Sequence, residues 1–479
     1  MLKKTKIVAT ISDLNCEVEF IRRLYKDGMN VVRMNTAHQS PDNSLKIVNN
    51  VRQVSDKIAL MIDTKGPEIR TTPSDYKLSL KMGDKILIKG DPAKSTVPDC
   101  IYVSFGNFVN TVGKGKKILI DDGELELEVK GREGDGLICV ALNEGIVKGK
   151  KSVNVPGVRF DLPALTDKDI HYIHFAIEND IDFIAHSFVR SKEDVLKIQQ
   201  VLDQAKSEVK IIAKIENQEG VDNLDEIIEN VYGIMVARGD LAVEIPYEKI
   251  PGIQKVIINK CIAARKPVIV ATQMLYSMME NPRPTRAEVS DVANAIYSKT
   301  DAIMLSGETA FGKYPVESVA TMNRIALEVE KTRSLMHETP LVVMSNKTSA
   351  YLSREAVEAS IALDCKAIIA DTSKGRTIRN MSCYRGMKPI FAQCYSKRVM
   401  RELALCFGVY ADYLEEGRTH RFITVALNNY VEKGILSLQD KVVVLGGNFV
   451  WTQNASFIEI STVENMLTLM HRGENAGNA

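Results

Sequence analysis

None of the eight cysteines forms a Cys-x-x-Cys pair, and the closest two, Cys383 and Cys394, lack the spacing of zinc ligands. A zinc fold and a disulfide framework are therefore not expected, and the thiols read as reduced core side chains of a cytoplasmic protein. Net charge is equally scarce. Lys plus Arg number 62 and Asp plus Glu 61, so the balance of +1 removes any global case for nucleic acid as a partner. No apolar run approaches the roughly 18 residues of a membrane-spanning helix. The opening MLKKTKIVATIS turns polar at Ser12 and Asp13, too soon for a secretory leader. No membrane partner is expected. What remains is a chain of 479 residues, 45% apolar and 26% charged, which is the composition of a soluble protein with two or three domains.

Short Val/Ile-rich strands alternate with helical patterns through the first two-thirds of the chain, as in βα units around a parallel sheet. The candidate strands are Lys6–Thr10, Asn30–Asn35, Ala59–Thr64, Phe183–Ser187, Ile211–Glu216, Gly233–Ala237, Val268–Thr272 and Ala302–Leu305. Eight units predict a (β/α)8 barrel. Two of the intervening helices carry capping boxes, Ser191 with Asp194 and Thr285 with Glu288. The alternation breaks between Pro67 and Pro163. There, Asp-Gly and Gly turns separate short strands of antiparallel character, so an all-β insertion is expected after the third strand. Alternation restarts after about Arg333, with a helix at Ser353–Leu363, a strand at Ala367–Ala370 and units near Ile390, Val409 and Val442. The expected domains are 1–66 with 164–333 (barrel), 67–163 (insertion) and 334–479 (C-terminal α/β), and only the tail RGENAGNA reads as disordered.

Chemistry in such barrels collects at the carboxyl ends of the strands. Those ends offer Thr10, Arg33 and Asn35, Asp63 and Thr64, Ser187, Lys214 and Glu216, Arg238 and Asp240, Thr272, and Ser306 with Glu308. The segment VKIIAKIENQEG poses the sharpest question, because alternation aims Lys214 and Glu216 to the same side of a buried strand. Buried charges of this kind are costly unless paired or coordinated. Glu216 and Asp240, on neighbouring strands, form a two-carboxylate set suited to Mg²⁺, although Glu216 pairing only with Lys214 is the plainer alternative. Arg33, Arg70 and Lys214 supply positive charge for a phosphoryl group. The segment GETAFGKY mimics a phosphate-binding loop but has Tyr314 where Ser or Thr is needed, with no strand expected to run into Gly307, and is set aside. His171 and His174, three apart on a helix without Cys or His partners, read as surface residues.

The segments MNVVRMNTAH, DTKGPEIRT, FDLPALTDKD, SFVR, IAKIENQEG, IMVARGDLAVEIP, VIVATQM, NPRPTRAEVSDVANA and IMLSGETA, in this order, resemble those of the pyruvate kinases. The resemblance runs through about Glu330 and continues more loosely beyond it. It implies a (β/α)8 barrel, a β-barrel lid inserted after the third strand and a C-terminal α/β domain. It also implies phosphoryl transfer from phosphoenolpyruvate to ADP. By resemblance, Glu216 and Asp240 hold Mg²⁺, Lys214 stabilises the phosphoryl group, and Arg33, Gly239 and Thr272 contact substrate, with Thr272 near the protonated enolate carbon. Asn35, Arg70 and Lys151 match nucleotide-phosphate contacts. Asp63 and Thr64, with Asn35, match ligands of K⁺, and Glu68 matches the residue that accompanies K⁺ dependence. The loop DTSKGRTIR, with Thr372, Ser373, Lys374 and Thr377, resembles an effector-phosphate site at a helix N-terminus, and NPRPTRAE resembles a subunit-contact segment, so a homotetramer is expected.

Three departures stand against this pattern. Thr36 and Ala37 replace Phe and Ser, which removes a hydroxyl that normally helps to hold K⁺. TISDLNC replaces TIGPAS after the first strand, and the C-terminal loop GGNFVWTQNASF is shorter and less basic than in members activated by sugar bisphosphates. Two rival readings are a catalytically weak paralogue and another Mg²⁺-dependent barrel enzyme acting on phosphoenolpyruvate or a 2-keto acid. The intact set Lys214, Glu216, Asp240, Thr272 and Arg70 disfavours the first. The lid insertion and Lys151 disfavour the second.

Overall fold

The structure is a computed structural model that describes residues 2–37, 39–333, 347–415, 421–447 and 455–468. Eight parallel strands close a barrel: β1 (Lys6–Thr10), β2 (Val31–Asn35), β3 (Ala59–Asp63), β4 (Phe183–His186), β5 (Lys210–Ile215), β6 (Gly233–Ala237), β7 (Val268–Ala271) and β8 (Ala302–Leu305). Each strand pairs with its sequence neighbours and β1 closes on β8, with Ile7 opposite Ile303. All eight expected strands are present, with ends within a residue of the expectation. Alternation divides their side chains into two layers. Val8, Val31, Met61, Phe183, Ala185, Ile212 and Met235 fill the interior, while Ile7, Val32, Ile62, Ile184, Ile211 and Val236 pack outward against the helices. Thr285 and Glu288 form the expected capping box at the start of Arg286–Tyr297. The box expected at Ser191 does not form. Arg190 instead takes the Asp194 carboxylate through Nε and a second guanidinium nitrogen, both at 2.9 Å, a charge-assisted pairing stronger than a hydroxyl cap. A box between Thr166 and Asp169, unremarked in the sequence, caps the helix Asp167–Glu178. A strand also does run towards Gly307, since β8 ends at Leu305, against the expectation for GETAFGKY.

The insertion follows β3 as expected. It holds a six-stranded sheet and a two-stranded sheet, antiparallel except that Lys85–Gly90 and Cys100–Val103 run parallel. Residues 69–72 bond to both edges of the larger sheet: Val153 N donates to Ile69 O, Thr71 N to Lys151 O, Ser104 N to Arg70 O and Thr72 N to Tyr102 O. This short extended stretch closes the sheet into a small barrel around its own core, which includes Ile88, Ile101, Phe108 and Leu127.

The C-terminal α/β domain carries β9 (Ala367–Thr372), β10 (Ile390–Cys394), β11 (Val409–Tyr413), β12 (Lys441–Gly447) and β13 (Ala455–Thr462), in the order β11-β10-β9-β12-β13. β13 is antiparallel to β12 and was not expected, because its sequence begins inside the segment read as a loop. Residues 448–454 of that loop and the tail 472–479 lie outside the described residues. All eight cysteines are free and buried. No helix among the described residues is long and apolar enough to cross a membrane, and His171 and His174 are exposed as expected.

Candidate active site

Following the interior side of each strand upward takes Val31 to Arg33 and Asn35, Met61 to Asp63, Ala185 to Ser187, and Ile212 to Lys214 and Glu216. The apolar filling ends and a polar layer begins at the carboxyl mouth. There the Lys214 ammonium lies 3.0 Å from Asp63 Oδ1, 2.9 Å from Glu216 Oε1 and 2.8 Å from Ser187 Oγ. The contacts with Asp63 and Ser187 are hydrogen bonds, and that with Glu216 is an ion pair. Arg33 donates through Nε to Asp63 Oδ2 at 2.6 Å and through a terminal nitrogen to Thr10 Oγ1 at 2.9 Å. The Glu216 Oε2 atom accepts from the Phe188 amide at 2.6 Å. So Lys214 and Glu216 do face the same way, and both are buried.

Charge in this layer is unbalanced towards the carboxylates. Burial alone lowers the pKa of Lys214, but Asp63, Glu216 and Asp240 together raise it above its ordinary value, so the ammonium stays charged. Burial raises the pKa of the Glu216 carboxyl above the usual carboxylate range against the opposing pull of Lys214, with Asp240 and Asp63 adding repulsion. Asp63 differs. Burial acts to raise it, yet Arg33 and Lys214 hold it below the usual carboxylate range. One ammonium shared among three carboxylates leaves Glu216 short of positive charge. That shortage is the observation against which a Mg²⁺ ion is tested. Among the described residues no three His, Cys, Asp or Glu side chains gather as a metal cage. Glu216 and the half-buried Asp240 fit Mg²⁺, which keeps waters and substrate oxygens in its shell.

Asn35 and Asp63, two of the oxygen donors read for K⁺, stand opposite each other in the β2–β3 register, and Thr64 follows Asp63 with its hydroxyl oxygen accepting from Ser187 N at 3.0 Å. The Asp63 carboxylate in that group is shared with Arg33 and Lys214. Glu68 accepts from Arg70 Nε at 2.7 Å, and burial, opposed by Arg70, raises its pKa. Thr272 and Gly239 also meet. The Gly239 amide donates to Thr272 Oγ1 at 2.8 Å, and that hydroxyl donates to Ala271 O at 2.6 Å. Arg70 and Lys151 lie on adjacent extended segments of the insertion, with Lys151 Nζ 2.8 Å from Asp121 Oδ1. The effector candidates Thr372, Ser373, Lys374 and Thr377 belong to a different sheet, at the turn from β9 into the helix Arg376–Cys383. Thr372 Oγ1 accepts from the Gly375 amide at 2.9 Å.

Several participants carried no role in the sequence reading. Ser187 touches Lys214 and donates to Thr64 O at 2.6 Å. Its signal was available, since alternation from Phe183 and Ala185 aims it inward. Thr10 had the same signal, by alternation from Val8, whereas Asp121 and the Phe188 amide had none. Left-handed backbone at non-glycine residues gathers here, at Phe188 (φ 56°), Thr272 (φ 69°) and Gln273 (φ 53°) around the mouth, and at Asp121, Asp122 and Lys150 near Lys151. Such conformations cost energy and persist where surrounding contacts hold them, commonly at functional sites. Gly66 (φ 70°) is needed for space as well, because a Cβ there would lie 2.8 Å from the Phe188 ring.

Residues 2–319 match the family model described as pyruvate kinase, barrel domain, and residues 350–460 match the model of the pyruvate kinase alpha/beta domain. The chain is 48% identical over 471 residues to a pyruvate kinase of Borreliella burgdorferi, covering 97% of this chain and 98% of that one. It is 42% identical over 492 residues to a pyruvate kinase of Geobacillus stearothermophilus, covering the whole of this chain and 83% of the relative. A Staphylococcus aureus pyruvate kinase is 43% identical over 459 residues, covering 93% of this chain and 78% of its own length.

Proposed function

The chain belongs to the pyruvate kinase family, and from that premise we propose that this phosphotransferase moves the phosphoryl group of phosphoenolpyruvate to ADP, yielding pyruvate and ATP at the close of glycolysis. Mg²⁺ and a monovalent cation such as K⁺ are its proposed cofactors. The observation that carries this reading is the buried Lys214 ammonium, held at the barrel mouth by side chains from three strands among an excess of carboxylates.

Arg33 and Lys214 bind the phosphoryl oxygens electrostatically. Because Lys214 is preorganised and charged, it strengthens its hold as negative charge spreads over the transferring group. Glu216 and Asp240 would hold Mg²⁺, which would supply charge neutralisation to the transfer. Arg70 and Lys151 carry the phosphates of ADP on the inserted domain, Lys151 exchanging Asp121 for phosphate. Asn35 serves both the nucleotide phosphates and, with Asp63 and Thr64, the K⁺ site. Thr272, its hydroxyl oriented between Gly239 N and Ala271 O, guides the proton that the enolate carbon takes up once the phosphoryl group has left.

The same reading extends to assembly and control. The exposed segment Asn281–Arg283 and the outer face of the following helix, including Val289 and Tyr297, offer a subunit contact for a homotetramer. The eight unpaired buried thiols suit the reducing cytoplasm. Ser373, Lys374 and Thr377, with the helix amides beside them, form a candidate site for a phosphorylated sugar or an inorganic anion. A thermal-shift screen against sugar phosphates tests it, and a shift that survives Ser373→Ala with Thr377→Ala would exclude it.

A coupled assay for pyruvate and ATP tests the central reading. Turnover is expected only with Mg²⁺ present, and in Glu216→Gln and Asp240→Asn the Mg²⁺ concentration for half-activity should rise about tenfold, as each removes one charge from a two-carboxylate set. Absence of turnover, or an unchanged Mg²⁺ requirement in both variants, would overturn it.

A further inference from the structure

A cavity of about 460 Å³ opens between the insertion's return segment (Val153–Leu162) and the barrel, and neither Arg70 nor Lys151 lines it. That volume falls within the roughly 300–1,000 Å³ of small-molecule sites. Its walls are fixed before any ligand arrives. Phe160 lies flat against Phe108, with ring centroids 5.6 Å apart and planes 6° from parallel. Arg190 holds the same segment from the barrel side, donating to Leu162 O at 3.0 Å and Phe160 O at 3.4 Å. Val158, Leu162 and Phe188 add apolar surface.

Among the described residues two carboxylates of this lining lack a cation: the exposed Asp222, which accepts from Gln218 Nε2 at 2.7 Å, and the more enclosed Glu244. Arg190 is neutralised by Asp194, Arg159 lies 2.5 Å from Glu219, and Glu68 is paired with Arg70. Glu244, at the end of the helix Arg238–Glu244, is half-buried and faces no cation among the described residues. Its one hydrogen bond is from Asn154 Nδ2 at 3.5 Å, at the outer limit of such a bond. A carboxylate without a counter-ion beside apolar walls costs free energy that a cationic ligand would recover. Burial also raises the Glu244 pKa. Both arginines of the lining are already engaged by carboxylates.

We propose that this cavity binds a small organic cation with a flat apolar body, its charged end on Glu244 and its body against Phe160 and Leu162. Because the insertion forms one wall and barrel segments around Phe188, Asn217–Asn223 and Glu244 the other, an occupant would bridge the insertion and the barrel. Binding at this cavity is independent of phosphoryl transfer.

Benzamidine is a suitable probe and benzamide its uncharged isostere, each titrated into the full chain by calorimetry. Benzamidine is expected to bind at least tenfold more tightly than benzamide. Glu244→Gln should erase that difference, and Val158→Trp, which fills the cavity, should abolish binding of both. Equal affinities for the two probes, a preference that persists in Glu244→Gln, or benzamidine binding unaffected by Val158→Trp would each overturn the proposal.

Discussion

At the amino end of the barrel strands, buried carboxylates are saturated. Asp301 receives Arg385 at 2.8 and 2.5 Å, Phe407 N at 3.0 Å and Val268 N at 3.1 Å. Asp182 receives Arg401 Nε at 2.7 Å and Leu60 N at 2.8 Å. Glu330 takes the backbone amides of Lys4 and Thr5. At the carboxyl end, Lys214 is divided among carboxylates, and Asp240 accepts no hydrogen bond among the described residues. Glu216 is as buried as Asp182 and Asp301, so for it partner supply rather than burial makes the difference, while Asp240 is also partly open to solvent. One end uses charge to lock the C-terminal domain beneath the barrel, while the other leaves valences for ligands to complete.

The strongest test of this contrast is Arg385→Ala. It leaves Asp301 buried without its cation, and losing one member of such a pair costs about 3–5 kcal/mol. A large fall in thermal midpoint is expected, with kcat of the folded fraction near wild type. Lys214→Met should do the reverse. Turnover should drop about 10²–10³-fold, as for loss of one preorganised transition-state donor, with native circular dichroism. If the two variants showed the same phenotype, the division between the ends would fail.

His186 adds a buried group that neither end employs. It is buried on β4, and neither ring nitrogen has a hydrogen-bond partner among the described residues. Burial lowers its pKa to about 4 from an unfolded value near 6.5. Below pH 6.5 the unfolded chain therefore takes up a proton that the fold refuses. The stability contribution is full above 6.5 and is lost as pH falls towards 4, by about 2 kcal/mol between 6.5 and 5. In His186→Ala the drop in thermal midpoint from pH 7 to pH 5 should be smaller than in the wild type, and an equal drop would show that His186 is not its source.

The smallest effect concerns the monovalent cation. Activity should require K⁺ or NH₄⁺. Ala37→Ser, which restores a hydroxyl beside Asn35, Asp63 and Thr64, should tighten half-saturation by about threefold, roughly 0.6 kcal/mol. Full activity with tetraalkylammonium as the sole monovalent cation would mean that the site has been lost.

Local periodicity by itself determined the barrel, its order of elements and the inward aim of Arg33, Asp63, Lys214 and Glu216. Strand alternation is a property of the chain's own geometry, readable over five or six residues. It also marked the insertion, where the period and the turn residues change. Tertiary structure alone decided who partners whom. Asp63 meets Lys214 across 151 positions and Lys151 meets Asp121 across 30, as register and barrel closure dictate. The same holds for residues 69–72, whose bonding to both edges of the inserted sheet left no period to read. Pairings of this kind depend on contacts far apart in the chain, and no short window of sequence contains both partners.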